Sequence, residues 1–177
     1  FLRLILESAV DYAILSTDRN GVVTSWNAGA HGVLGYGEAE ILGATADVIF
    51  TPEQRAADIP GEERRQALRF GRAEDDRWQL RKGGRRLWAS GLMMPLADRA
   101  RGFVKILRDR TDAHAAEVRR REEAERFRLL ATNIPQLVFR CRASGERTWV
   151  SPQWAAFTGL SEADSLGWSW LAAIHPE

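Results

Sequence analysis

The chain has 177 residues, 45% of them hydrophobic and 28% charged, with a formal net charge of +1. That is an ordinary globular balance, enough for one domain with a core and part of another, and its interleaved charges exclude a general field for nucleic acid or an acidic membrane. A single cysteine, Cys141, excludes an intramolecular disulfide and a cysteine zinc cluster and fits a reducing, cytoplasmic setting.

In chain order, residues 1–9 read as a short amphipathic helix and Tyr12 to Thr17 as a strand. Asp18-Arg19-Asn20-Gly21 is a tight turn, because Asn-Gly accepts positive φ at low cost, and Val22 to Trp26 is the return strand. Asn27 stands where a helix N-cap belongs, and 28–35 is a short helix ending at Gly35. Glu38 to Leu42 is another, closed by Gly43, and 45–49 form one more turn. Pro52 opens a helical stretch to about Phe70, interrupted at Pro60-Gly61. Three strands follow at 72–82, 85–97 and 101–109, with turns at Gly83-Gly84 and around Asp98 to Arg101. Strand, strand, short helices and three more strands make an α+β domain: a five-stranded antiparallel sheet with helices on one face. From Thr111 to about Ala131 the pattern is helical, with Thr111 as its cap and Glu117/Arg121 in the favourable i,i+4 order. A heptad reading puts Ala113, Ala116, Arg120, Glu123, Phe127, Leu130 and Ile134 on one seam with a polar middle, a weak coiled coil or a solvated helix.

The chain repeats itself. At an offset of 124, Gly21 falls on Gly145, Thr24 on Thr148, Gly35 on Gly159, Glu38 on Glu162, Leu42 on Leu166, Gly43 on Gly167 and Pro52 on Pro176. The second copy stops where the first has used only its first third to half, and the chain starts at Phe1 without methionine, so it reads as a fragment.

These residues carry a family resemblance. "STDRNGVVTSWNAGAHGVLGYGEAEILG" resembles the opening hairpin and helices of PAS domains, "RWQLRKGGRRLWASGLMMPL" their third and fourth strands, and "GFVKILRDRT" their last strand and the Asp-x-Thr junction of a signalling helix. The second copy, ending in "TGLSEADSLGWSWLAAIHPE", resembles a PAS opening of the kind found in bacterial sensor histidine kinases. The resemblance implies a complete PAS domain at 1–111, a linker helix at 112–131 and a truncated second PAS domain at 132–177. It implies a cytoplasmic, non-catalytic sensory module that binds a small ligand or dimerises and signals through a helix to an output domain in a longer chain. The alternative is a redox or light sensor carrying flavin or haem.

In the light-sensing LOV subset, a Gly-x-Asn-Cys motif supplies a cysteine to flavin. Gly43 at that glycine puts Thr45 at the asparagine and Ala46 at the cysteine, which excludes the cysteinyl adduct of flavin mononucleotide. Of the amide positions Gln79, Ala89 and Leu107, only Gln79 keeps an amide. Residues 51–71 hold no histidine for haem, so a cofactor is neither required nor favoured, although flavin adenine dinucleotide or haem stays open; His31, His114 and His175 read as surface or packing residues.

The strand register places Leu15, Thr17, Gln79, Ala89, Gly91, Met93, Phe103 and Leu107 toward the helices as the ligand pocket, with Gln79 pointing to a polar ligand. Trp78, Leu80, Trp88, Leu92, Met94, Val104 and Ile106 then form an outer apolar face, to be covered by Phe1, Leu4 and Ile5 or by a second protomer of a homodimer. Asp109 and Thr111 are the signal relay. Glu62-Glu63 and Asp75-Asp76 read as solvated charge, Cys141 as a buried thiol, and Trp149, Trp154, Trp168 and Trp170 as partly exposed or at contacts. There is no metal set, no Ser/His/Asp arrangement, no pair of carboxylates in pocket positions, no phosphate-binding glycine loop and no kinase phosphoacceptor motif.

Overall fold

The computed structural model describes residues 2–98 and 101–174 and divides into two compact units, 1–115 and 116–177. In the first, α1 (Leu2–Ser8) leads into β1 (Tyr12–Thr17) and β2 (Val23–Trp26). Asp18 closes their turn: its Oδ1 accepts from the N–H groups of Asn20 (2.8 Å) and Val22 (2.9 Å), while Gly21 takes φ 88°. The buried Asn27 then starts α2 (Ala28–Leu34): its Oδ1 accepts from Ala30 N–H at 2.8 Å and Ile14 N–H at 2.9 Å. Its Nδ2 donates to the carbonyls of Leu6 (2.9 Å) and Tyr12 (3.2 Å), so one amide fixes a helix start, a strand and the end of α1.

After α3 (Glu38–Ile41) and a 3-10 turn at Ala46–Ile49, Thr51 and Gln54 cap α4 (Pro52–Ala56) reciprocally, at 3.4 Å and 3.0 Å. The expected interruption lies earlier than Pro60-Gly61. The helix breaks at Ala57-Asp58, with Asp58 at φ 54°, and Pro60 sits in the first turn of α5 (Ile59–Phe70), where its missing N–H has no helical partner to lose. Three strands complete the sheet: β3 (Ala73–Leu80), β4 (Arg86–Pro95) and β5 (Phe103–Asp109). The order is β2-β1-β5-β4-β3, antiparallel throughout. α2, α3, Ile49 and Phe50 pack on Leu15, Leu87, Ala89 and Leu107; Ala67 of α5 packs on Ala73, Met93 and Phe103. The five-stranded antiparallel sheet with helices on one face is as expected; the residues assigned inward are buried and those assigned outward are partly exposed.

α1 does not cover the outer face. Leu4 and Ile5 are exposed, because the end of α1 is tied to Asn27 and, through Glu7, to Ala28 N–H (2.9 Å) at the other side of the hairpin; Phe1 lies outside the described residues. Trp88 is instead stacked by His114 at a centroid distance of 3.9 Å, with Trp78 edge-on to both.

α6 (Thr111–Asn133) is one helix, slightly longer than expected, with Ala131 its only described buried residue, so the heptad seam at Phe127, Leu130 and Ile134 is exposed. Thr111 is its first residue rather than its cap.

In the second unit, β6 (Phe139–Cys141) pairs with β7 (Arg147–Val150), and α7 (Pro152–Thr158) follows. The repeat at offset 124 extends to single hydrogen bonds. Gly21 N–H to Asp18 O recurs as Gly145 to Arg142; Asn27 to Ile14 as Ser151 to Val138; Gly35 to His31 as Gly159 to Ala155; Gly43 to Val23 as Gly167 to Arg147. Each of those glycine pairs shares positive φ, which is why the sequence match holds at glycine. Trp149 and Trp154 are buried and Trp168 is exposed. Cys141 is exposed, contrary to expectation, because nothing described covers the short strand that carries it.

Candidate functional site

The inner face of the first sheet gathers every residue expected to line the pocket. Leu15, Thr17, Gln79, Ala89, Gly91, Met93, Phe103 and Leu107 are all buried there. They do not form one apolar wall. Leu15, Ala89 and Leu107 belong to the larger cluster and Met93 and Phe103 to the smaller one, and a seam of polar side chains runs between them.

Lys105 lies at the centre of that seam. Strand alternation through Phe103 and Leu107 turns it inward, and it is 1% exposed. Its ammonium bonds Glu63 Oε1, brought down by α5, and lies 3.7 Å from Asp75 Oδ1 on β3. The Phe50 ring covers it at 5.2 Å. Asp75 also holds Arg77 Nε at 2.7 Å and accepts from Gln79 Nε2 at 3.4 Å. Two carboxylates therefore do meet in the pocket, and Glu63 and Asp75 are buried rather than solvated; only Glu62 and Asp76 of the two acidic pairs face water. Burial pushes the Glu63 carboxyl up, Lys105 opposes this, and Asp75 adds to it, leaving Glu63 above the usual carboxylate range.

Gly91 makes room for this arrangement. It pairs directly with Asp75 across β3 and β4, and a Cβ there would collide with the Asp75 carboxylate and stand 2.9 Å from Leu107 Cδ2. The glycine is thus a notch for a buried carboxylate, a more specific role than pocket lining.

Four buried oxygens around the seam have no hydrogen-bond partner: Thr17 Oγ1, Gln79 Oε1, Asp75 Oδ1 and Glu63 Oε2. Such atoms cost about 1–3 kcal/mol each when left unpaired.

At the end of β5 a second network reaches the start of α6. Asp109 Oδ1 accepts from Thr111 N–H (2.9 Å) and Thr111 Oγ1 (2.6 Å), and Thr111 Oγ1 accepts from Trp88 N–H (2.9 Å). Arg81 bonds the other Asp109 oxygen and donates to Val33 O at 2.6 Å. Burial pushes the Asp109 carboxyl up, but Thr111 and Arg81 outweigh it and hold the group below the usual range. The expected relay pair, Asp109 and Thr111, is thus joined, and Arg81 ties it to the end of α2.

Sequence reasoning missed Lys105, Glu63, Asp75, Arg77 and Arg81. The signal for Lys105 and Asp75 was present in strand alternation, since Lys105 stands two residues from Phe103 and Leu107 and Asp75 four from Gln79, all assigned inward. Among the described residues no group of three or more His, Cys, Asp or Glu side chains is placed to hold a metal, and no helix is long and apolar enough to cross a membrane.

Residues 11–112 match a family model described as PAS domain. The chain is 36% identical over 117 residues to "Two-component system protein A" of Emericella nidulans; the match covers 65% of this chain and 17% of that protein. The chain thus spans about a sixth of that curated relative. Among solved structures it is similar to the PAS domain of a protein from Colwellia psychrerythraea, with a TM-score of 0.57 and 22% identity over 62% of this chain and 93% of that one. It is also similar to a domain of a sensory box sensor histidine kinase/response regulator from Geobacter sulfurreducens, with a TM-score of 0.54 and 19% identity over 61% and 90%. At those identities the two structures share its fold.

Proposed function

The chain belongs to the PAS domain family, and on that premise we propose that it is the sensory part of a two-component signalling protein, detecting a polar small molecule at the Lys105 seam. The observation that carries this reading is the set of four buried oxygens without a hydrogen-bond partner on the inner side of the sheet and α5, of which Asp75 Oδ1 has only the Lys105 ammonium at 3.7 Å. A ligand rich in N–H or O–H donors would satisfy them, and its arrival would redistribute the hydrogen bonds of Lys105 and Gln79.

In this reading residues 1–111 are the sensor and 112–131 the relay helix, entered through Asp109 and Thr111. Residues 132–177 are the opening of a second PAS domain, supported by the hydrogen bonds that recur at offset 124. The half-exposed outer face bearing Trp78, Trp88, Leu92, Met94, Val104 and Ile106 supports pairing in a homodimer. The module acts in the cytoplasm without chemistry of its own and passes its state to an output domain. No cofactor is needed.

The test joins an absorption spectrum of the purified protein to a thermal-shift screen of polar metabolites, repeated on Thr17→Val and Gln79→Leu. Hits that lose about tenfold or more in affinity in both variants support the reading. Flavin or haem bands, or hits indifferent to both substitutions, overturn it.

A further inference from the structure

The second unit carries an arginine where its repeat carries a core valine. Arg147 stands at offset 124 from Val23, which belongs to the same buried cluster as Leu15, Ala30 and Ala46. At the same offset those three cluster members become Phe139, Trp154 and Trp170. The guanidinium carbon lies over all three rings, at 4.2 Å from Phe139, 4.0 Å from Trp154 and 4.1 Å from Trp170. Arg147 is 5% exposed.

Three ring faces offset part of the loss of hydration through cation–π attraction. They accept nothing in the plane of the guanidinium. Nε and Nη1 are buried with no acceptor, and so is Nε1 of Trp170 beside them. The contrast with Trp154 is direct, since its Nε1 donates to Ser165 Oγ at 3.1 Å. Among the described residues no carboxylate pairs with Arg147, whereas Arg142, five residues earlier, holds Glu146 at 2.7 Å. One buried positive charge and three nitrogens with unused N–H donors converge.

We propose that this aromatic cage is a binding site for a small organic carboxylate, held by Arg147 and the indole N–H of Trp170. A carboxylate is planar, accepts several hydrogen bonds and carries the charge that a buried guanidinium lacks. Aromatic walls favour an anion with a flat or apolar body, and the burial of the donors favours a small molecule over a protein surface. The site is independent of the Lys105 seam.

The test is a titration of the ¹⁵N-labelled 177-residue chain, following the indole N–H resonance of Trp170, assigned with Trp170→Phe. The probes are benzoate, its uncharged isostere benzamide, and inorganic phosphate. Saturable movement with benzoate, absent with benzamide and phosphate, and weakened about tenfold or more in Arg147→Lys, is the expected result. Arg147→Lys keeps the charge and loses the planar fork, and it serves if Arg147→Met fails to fold. A resonance indifferent to benzoate, or equal binding by wild type and Arg147→Lys, overturns the proposal, as does a response to phosphate alone.

Discussion

Replacing Lys105 with Met removes the one cation that stands between two buried carboxylates. Glu63 and Asp75 then face each other without it, although Asp75 keeps Arg77 at 2.7 Å. Breaking a buried pair from one side costs about 3–5 kcal/mol, a large share of the roughly 5–15 kcal/mol that holds a domain together. The sign of the pH dependence follows from Glu63, which burial and Asp75 hold up and Lys105 holds down. Without Lys105 its folded-state pKa rises further. A carboxyl raised on folding takes its proton in the native protein first, so stability falls as pH rises from the usual carboxylate range through the folded value. The loss in Lys105→Met is therefore largest at neutral pH and shrinks toward about pH 5. Urea unfolding followed by circular dichroism at both pH values measures it. Adding Glu63→Leu to Lys105→Met removes the orphaned charge and returns half the loss or more, because burying neither charge is easier than burying one. A loss below about 1 kcal/mol, the range of an exposed pair, or the same loss at both pH values, refutes the account.

Two further outcomes follow from the same geometry. Gly91→Ala puts a methyl group into the Asp75 notch and costs about 1–3 kcal/mol in urea unfolding; adding Asp75→Ala makes the pair less destabilised than the sum of the two, and strict additivity would contradict the notch. Asp109→Asn costs about 1–3 kcal/mol at neutral pH. Because Asp109 is lowered on folding, its contribution is full above the usual carboxylate value and fades as pH falls through its own, so equal loss in acid and at neutrality would contradict the ion pair with Arg81.

The fold was legible because its punctuation is local. The capping of α2 by Asn27 through Ala30 N–H and the turns at Gly21 and Gly35 each act within a few residues, and a single sequence displays such rules. Alternation also separated the faces of β3, β4 and β5. What stayed hidden needed partners distant in sequence. Glu63 looks like any helix carboxylate until α5 is laid over β5, and Asp75 looks solvated until Gly91 is seen across from it. Arg81 meets Asp109 across 28 positions, and Leu4 and Ile5 were misplaced because Asn27, not hydrophobicity, decides where α1 ends.

The Lys105 seam bears on how the strands find each other. A slip of one residue turns a strand inside out, but a slip of two keeps every face and would pass unnoticed in a wholly aliphatic sheet. Here it would not. Moving β3 by two residues sets Asp75 against Ala89 or Met93, where a side chain fills the space that Gly91 leaves open. Moving β5 by two carries Lys105 from beside Met93 toward Gly91 or Pro95 and away from Glu63. The charges that weaken the core as a solvent for apolar groups thus act as a proofreading mark, penalising the misaligned sheets that greasy residues alone would accept.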